Sequence, residues 1–243
     1  MKLIIAENYE EGSRKTADMF ETVISSKKDA VLGLATGSTP EGIYKCMTED
    51  FSKGKVDFSV VRTINLDEYL GLKREHPQSF GYFMDKHLFS KVNIKPENIM
   101  LVDGSNDACI EIRKYDEFIQ KSPIDILLLG IGENGHIGFN EPAEYFVAGT
   151  HVTDLAEETI NANSRFFADK KEVPKQAVTM GMTGITSAGK IVLAAYGKKK
   201  ADAIKRLLAD DKIDPKLPCS ILKLCKDVTI VVDKELYGYI GNE

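Results

Sequence analysis

Residues 124–142, IDILLLGIGENGHIGFNEP, place a His and a Glu four turn residues apart at the end of an apolar run. Ile126 to Ile131 is six residues with one Gly, which reads as a buried strand. The glycine-rich turn after it delivers Asn134, His136, Asn140 and Glu141 within eight positions. An imidazole beside a carboxylate is a proton acceptor with a group to orient it. A lone His is ordinarily a satisfied core residue, but His136 sits in a turn among two amides and a carboxylate. One His and one Glu do not make a metal ligand set, so no metal is expected.

Three further stretches carry chemistry. TGSTP, Thr36 to Pro40, lies between an apolar run and a helical one. Gly37 permits a tight turn, Ser38 and Thr39 are expected to cap the helix, and Pro40 is favoured at its first position. A helix N-terminus with free N–H groups takes an anion, although a plain strand-to-helix turn has the same composition. The motif is neither a Walker loop nor a G-x-G-x-x-G dinucleotide turn, so a phosphate without a nucleotide fits it better. INLDEYLGL, Ile64 to Leu72, ends a strand in two adjacent carboxylates, Asp67 and Glu68. Neighbours on a strand point to opposite faces, so one of the two should enter a site, where burial would raise its basicity. Solvated loop acids are the simpler reading of that motif taken alone. Arg165, in NSRFF, and the run Lys198 to Lys200 are the candidate cations; the lysines sit at a strand-to-helix junction, where a solvated basic face is the simpler reading. Three lysines at a helix N-terminus are electrostatically misplaced unless an anion sits among them.

The elements that must position these groups alternate along the chain. Strands are predicted at Lys2–Ile5, Ala30–Ala35, Val60–Leu66, Asn98–Leu101, 125–131, Ala177–Met182, Lys190–Ala195 and Val228–Val232. Helices are predicted at Tyr9–Ser25, Pro40–Phe51, His76–Phe89, Asp107–Gln120 and Lys199–Leu208. In the helix from Asp107, Ile110, Tyr115, Phe118 and Ile119 are expected to face inward. Strands separated by helices argue for βαβ units: an α/β fold with a mostly parallel sheet and helices on both faces. Ligands of such sheets bind outside the carboxyl ends of the strands. No repeat or linker-like tract interrupts the 243 residues, so a single domain, 1–243, is expected.

A net charge of −5 with no basic tract argues against nucleic acid, and leaves any phosphate to be held by local groups. Four scattered cysteines, with no C-x-x-C pair, read as reduced thiols of a cytoplasmic protein. The opening MKLIIAENYE is a strand rather than a signal peptide, and no run is long enough to span a membrane.

The residues also carry a resemblance. LATGSTPEGIY at 34–44, NLDEYLGL at 65–72, HPQSFGYFM at 76–84, GIGENGHIGFNEP at 130–142, NSRFF at 163–167 and GKKKA at 197–201 resemble the glucosamine-6-phosphate deaminase (isomerase) family over nearly the whole chain. The resemblance implies a Rossmann-like doubly wound fold. It implies conversion of D-glucosamine 6-phosphate and water to D-fructose 6-phosphate and ammonia, in amino-sugar catabolism, with no cofactor. It implies that Asp67 is the base moving a proton from C2 to C1, that His136 opens the pyranose ring, and that Glu141 is its acidic partner. Gly37, Ser38, Thr39, Arg165 and Lys200 match the phosphate pocket. The resemblance thereby selects Asp67 over Glu68 and Lys200 over its neighbours.

The chain departs from the pattern at Asn134, where members often carry Asp in an Asp–His–Glu arrangement. Asn134 is expected to hydrogen-bond the imidazole while Glu141 keeps the charge, with a shifted pH profile. Positions 144–154, EYFVAGTHVTD, lack the basic and hydroxyl pattern of the family's activator site, and the chain ends soon after Asp233. A non-allosteric enzyme is expected, a monomer or low-order homo-oligomer. The nearest rival, 6-phosphogluconolactonase, normally continues its G-x-D-G-H turn toward T-A-S-L-F-P, whereas this chain has IGFNEP. A sugar-phosphate sensor domain is the other alternative, disfavoured by the joint presence of Asp67, His136 and Glu141.

Overall fold

The computed structural model describes residues 1–155, 160 and 173–240. Seven strands form one sheet in which every pairing is parallel. They are β1 (Lys2–Ala6), β2 (Val31–Leu34), β3 (Arg62–Asn65), β5 (Ile99–Met100), β6 (Ile126–Leu129), β9 (Lys190–Ala195) and β10 (Val228–Asp233). Their order is β1-β10-β9-β6-β2-β3-β5. From β2 the chain winds outward through β3 to β5. From β6 it winds the other way, through β9 to β10. The order therefore reverses where β2 meets β6, the switch point at which such sheets open a crevice. β2, β6 and β10 are buried along their whole length, as near-continuous apolar strands covered on both faces must be.

Helices surround the sheet: α1 (Tyr9–Ser26), α2 (Ser38–Ser52), α3 (Phe80–His87), α4 (Ala108–Lys121), α5 (Met182–Thr186), α6 (Ala201–Ala209) and α7 (Lys234–Ile240). α1 starts where the Asn8 side chain accepts the Glu11 N–H, and buries Thr16, Ala17, Phe20 and Ile24 at helical spacing. α4 starts the same way on Asp107. No helix among the described residues is long and apolar enough to cross a membrane, and all four cysteines are free thiols.

Several elements differ from the sequence reading. A second, antiparallel sheet of β4 (Asp67–Tyr69), β8 (Gln176–Thr179) and β7 (His151–Asp154) stands beside the first. The strand expected at Ala177–Met182 belongs to it rather than to the parallel sheet, and ends at Thr179. The helix expected from His76 begins only at Phe80, because Pro77 disfavours helical backbone before it and Ser79 accepts the Tyr82 N–H as the cap. Ile110 is 40% exposed and does not face the core. The buried side of α4 runs through Glu111 and Tyr115, one residue further round the helix.

Candidate active site

Three parallel neighbours, β3, β2 and β6, end at the same edge of the sheet, and a cavity of about 660 Å³ opens there. Each strand delivers one part of its wall. After β2, Gly37 takes a positive φ of 95°, and α2 begins at once on Ser38. Thr36, Gly37, Ser38 and Thr39 line the cavity. The helix starts two residues earlier than expected, so Ser38 and Thr39 fall inside its first turn. They do not cap it: Gly37 is the cap residue, and among the described residues no side chain makes a capping bond to the Ser38 or Thr39 N–H. The first N–H groups of a 15-residue helix are thereby left to the cavity.

After β3 the chain changes sheets. Leu66 N–H still donates to Leu34 O at 3.1 Å, but Leu66 O accepts from Met180 N–H at 2.7 Å, and Asp67 then pairs with Thr179 in the side sheet. The two carboxylates separate as strand alternation requires. Asp67, 8% exposed, lines the cavity. Glu68 turns away beneath α3, where it accepts the N–H groups of Phe80 at 2.9 Å and Gly81 at 2.8 Å, besides that of Tyr69 at 2.9 Å. Burial, then the charge of Glu68, pushes the Asp67 carboxyl up to about 8. Burial pushes Glu68 up to about 7 against its three N–H donors. Those donors keep Glu68 as the charged member of the pair, and Asp67 carries the higher value.

After β6 the loop is stitched to itself. Gly132 N–H donates to His136 O at 2.9 Å and Gly135 N–H to Gly132 O at 3.1 Å, with Gly135 at φ 89°. The buried Asn140 amide donates to Ile137 O at 3.0 Å and Met180 O at 2.9 Å, and Phe139 N–H donates to Thr179 Oγ1 at 3.1 Å. His136, held in this loop, lines the cavity with its Nδ1 2.9 Å from Glu141 Oε1. Asn134 makes a different contact from the one expected. Its amide donates to Glu141 Oε2 at 2.7 Å and its Oδ1 accepts the His136 backbone N–H at 3.1 Å, so it reaches the imidazole only through Glu141. Burial raises the Glu141 carboxyl, but the His136 hydrogen bond and charge and the Asn134 amide outweigh it and hold the group below the ordinary carboxylate range.

Of the remaining expected residues, Lys200 lies on a 3-10 turn, Lys198–Lys200, that follows β9 at the same edge of the sheet. It is half-buried, and burial pushes its ammonium pKa down against the raising effect of Glu133. It does not line the cavity, and neighbouring Lys199 lies 3.6 Å from Glu133. Arg165 falls outside the described residues. The opposite wall is aromatic: Tyr69 and Phe80 have ring centres 4.6 Å apart, and Phe80 stacks on Phe139 at 6.0 Å and 11°. Nothing in the sequence singles out this wall or Thr179, and Asn140, though named in the turn, has no role assigned by its spacing. Phe80 and Phe139 sit in quoted motifs, but nothing in their spacing shows that they meet. Among the described residues no three His, Cys, Asp or Glu side chains are grouped as metal ligands.

A doubly wound sheet with a buried carboxyl and an imidazole–carboxylate pair gathered at its switch point defines an α/β enzyme of Rossmann-like fold. The chain belongs to the family of glucosamine-6-phosphate isomerases and 6-phosphogluconolactonases, which matches residues 6–231. The glucosamine-6-phosphate deaminase of Thermoanaerobacter sp. (strain X514) is 51% identical over 245 positions, covering 100% of this chain and 96% of its own. The solved structure of a monomeric glucosamine-6-phosphate deaminase of the NagB superfamily superposes with a TM-score of 0.92 at 40% identity, over 98% of this chain and 100% of that one. The 6-phosphogluconolactonase of Thermotoga maritima shares the fold, with a TM-score of 0.76 at 19% identity over 96% of this chain and 98% of its own.

Proposed function

We propose that the protein converts D-glucosamine 6-phosphate and water to D-fructose 6-phosphate and ammonia. One observation carries the reading: a helix N-terminus without a side-chain cap and a buried carboxyl without a donor, both among the described residues, open on one cavity with an imidazole–carboxylate pair. The α2 N-terminus takes the phosphate, with Lys200 and Arg165 as the matching countercharges. His136, oriented by Glu141, moves the proton between the ring oxygen and the anomeric hydroxyl as the pyranose opens. Asp67 then takes the C2 proton and returns it to C1. The resulting C2 imine adds water and releases ammonia, leaving the ketose. Phosphate binding far from the reacting carbons supplies orientation. Asn134 acts through Glu141, steadying its charge. The chain works as one domain in amino-sugar catabolism, without allosteric activation and as a monomer or low-order homo-oligomer. The match to a monomeric deaminase supports the monomer.

Incubation with glucosamine 6-phosphate should yield ammonia and fructose 6-phosphate in equal amounts. Saturation should be hyperbolic and unchanged by N-acetylglucosamine 6-phosphate. Binding without turnover would indicate a sensor instead, and hydrolysis of 6-phosphogluconolactone the rival enzyme.

The split carboxylate pair gives a second test. Asp67 must be ionised to take a proton, so kcat/KM should rise with pH through about 8. Glu68→Gln removes the neighbouring negative charge, makes ionisation of Asp67 easier, and should move that limb to lower pH. A limb that stays in place would remove Glu68 from any influence on Asp67.

A further inference from the structure

The first turn of α2 is fastened by a hydroxyl from outside the cavity. Tyr9 opens α1, and its Oη accepts the Gly42 N–H at 2.7 Å while facing Ser38 O at 3.0 Å and Thr39 O at 3.2 Å. Gly42 N–H and Ser38 O are the two atoms of an i to i−4 rung in the helix's first turn. The Tyr9 hydroxyl therefore bridges the rung directly behind the Ser38 and Thr39 N–H groups. Gly42 is what admits it. A Cβ there would lie 2.9 Å from both Tyr9 Oη and Cε1, and 2.6 Å from Ser13 Oγ. The Tyr9 ring is itself held edge-on against Tyr196, with centres 5.2 Å apart at 86°. Tyr196 leads from β9 into Gly197 and the lysine turn, so one side chain braces both strand ends assigned to the phosphate.

We propose that Tyr9 is a positioning residue for the anion: its hydroxyl sets the first turn of α2 so that the Ser38 and Thr39 N–H groups converge on the phosphate. This rests on the reading of that helix end as the phosphate site. Tyr9 does not line the cavity and does not touch Asp67 or His136, so its contribution falls on binding rather than on proton transfer.

The test is Tyr9→Phe, which keeps the ring and removes the hydroxyl. Saturation kinetics with glucosamine 6-phosphate and competitive inhibition by inorganic phosphate are measured on both enzymes. KM and the phosphate Ki should each rise about threefold to tenfold, the worth of one lost hydrogen bond, with kcat within about twofold. Neither KM nor Ki depends on the fraction of enzyme that is folded, so partial misfolding does not imitate the result. Unchanged KM and Ki, or a loss confined to kcat, overturns the role of Tyr9 alone, provided phosphate inhibits the unaltered enzyme. An unaltered enzyme indifferent to phosphate overturns the phosphate site itself, and the role of Tyr9 with it.

Discussion

Asp67→Asn should lower kcat by about a thousandfold and abolish exchange of the substrate C2 hydrogen with solvent, while KM and phosphate inhibition change little. The carboxyl is buried, no donor among the described residues bonds it, and the charge of Glu68 lies behind it. Such a group is an effective base once ionised and has no partner among the described residues to lose. Asn fits the space and takes no proton. The substitution should also stabilise the fold. Asp67 is pushed from 3.8 to about 8 in the folded protein, so between roughly pH 4 and pH 8 the unfolded chain releases a proton that the folded one retains. Folded stability falls across that window, and Asn removes the fall. Tm measured at pH 8 should therefore be higher in the variant than in the parent, while at pH 3, where both states of Asp67 are protonated, the difference should largely vanish. Normal C2 exchange in a folded variant would take Asp67 out of the proton transfer.

Gly132→Ala should cost about a hundredfold in kcat/KM, although Gly132 carries no functional group. A Cβ at this position would lie 2.4 Å from His136 Cε1 and Nδ1 and 2.6 Å from Nε2. No contact that short survives, and the loop around it is closed by the Gly132–His136 backbone bond. The imidazole must swing off the Gly132 backbone, and its Nδ1 must leave Glu141. A general acid–base group displaced by an ångström loses most of its effect. Ring opening alone should suffer. A substrate analogue fixed in the open-chain form should bind and exchange its C2 hydrogen at close to the parental rate. If the analogue is slowed as much as the cyclic sugar, the damage is not confined to His136.

Much of this site was legible because the strands around it are apolar and short. AVLGLA, the strand before NLDEY and the run before GIGENG each stop where polar residues begin, and in a parallel sheet all such stops share one edge. What escaped were contacts that cross between elements. Sequence alternation shows that Asp67 and Glu68 part company, but not that Glu68 finds the N–H groups of Phe80 and Gly81 twelve and thirteen residues on. Ser38 and Thr39 look like caps in a linear pattern. The helix began earlier because the positive φ of Gly37 completes the turn in a single residue. The side sheet was hidden for a similar reason. Asp67–Tyr69 is three residues of ordinary polarity, and only pairing with Gln176–Thr179 makes it a strand. The family's Asp–His–Glu arrangement suggests Asn134 against the imidazole, whereas the turn at Gly135 swings its amide to the carboxylate.

The change of sheets at Leu66 has a kinetic corollary. The residue that places Asp67, Met180, lies more than a hundred positions downstream, and the same Met180 carbonyl anchors Asn140 in the His136 loop. Neither Asp67 nor His136 reaches its position at the cavity by local folding. Both wait for β8 to arrive across the parallel sheet, a long-range step that is slow by its nature. During refolding, helical signal should return well before turnover, and the lag between them would time the docking of β8. A nascent chain not yet extended through β8 has the turn at Gly37 but neither Asp67 nor His136 in place, so on the proposed reading the newly made polypeptide stays chemically silent until the last third of its synthesis.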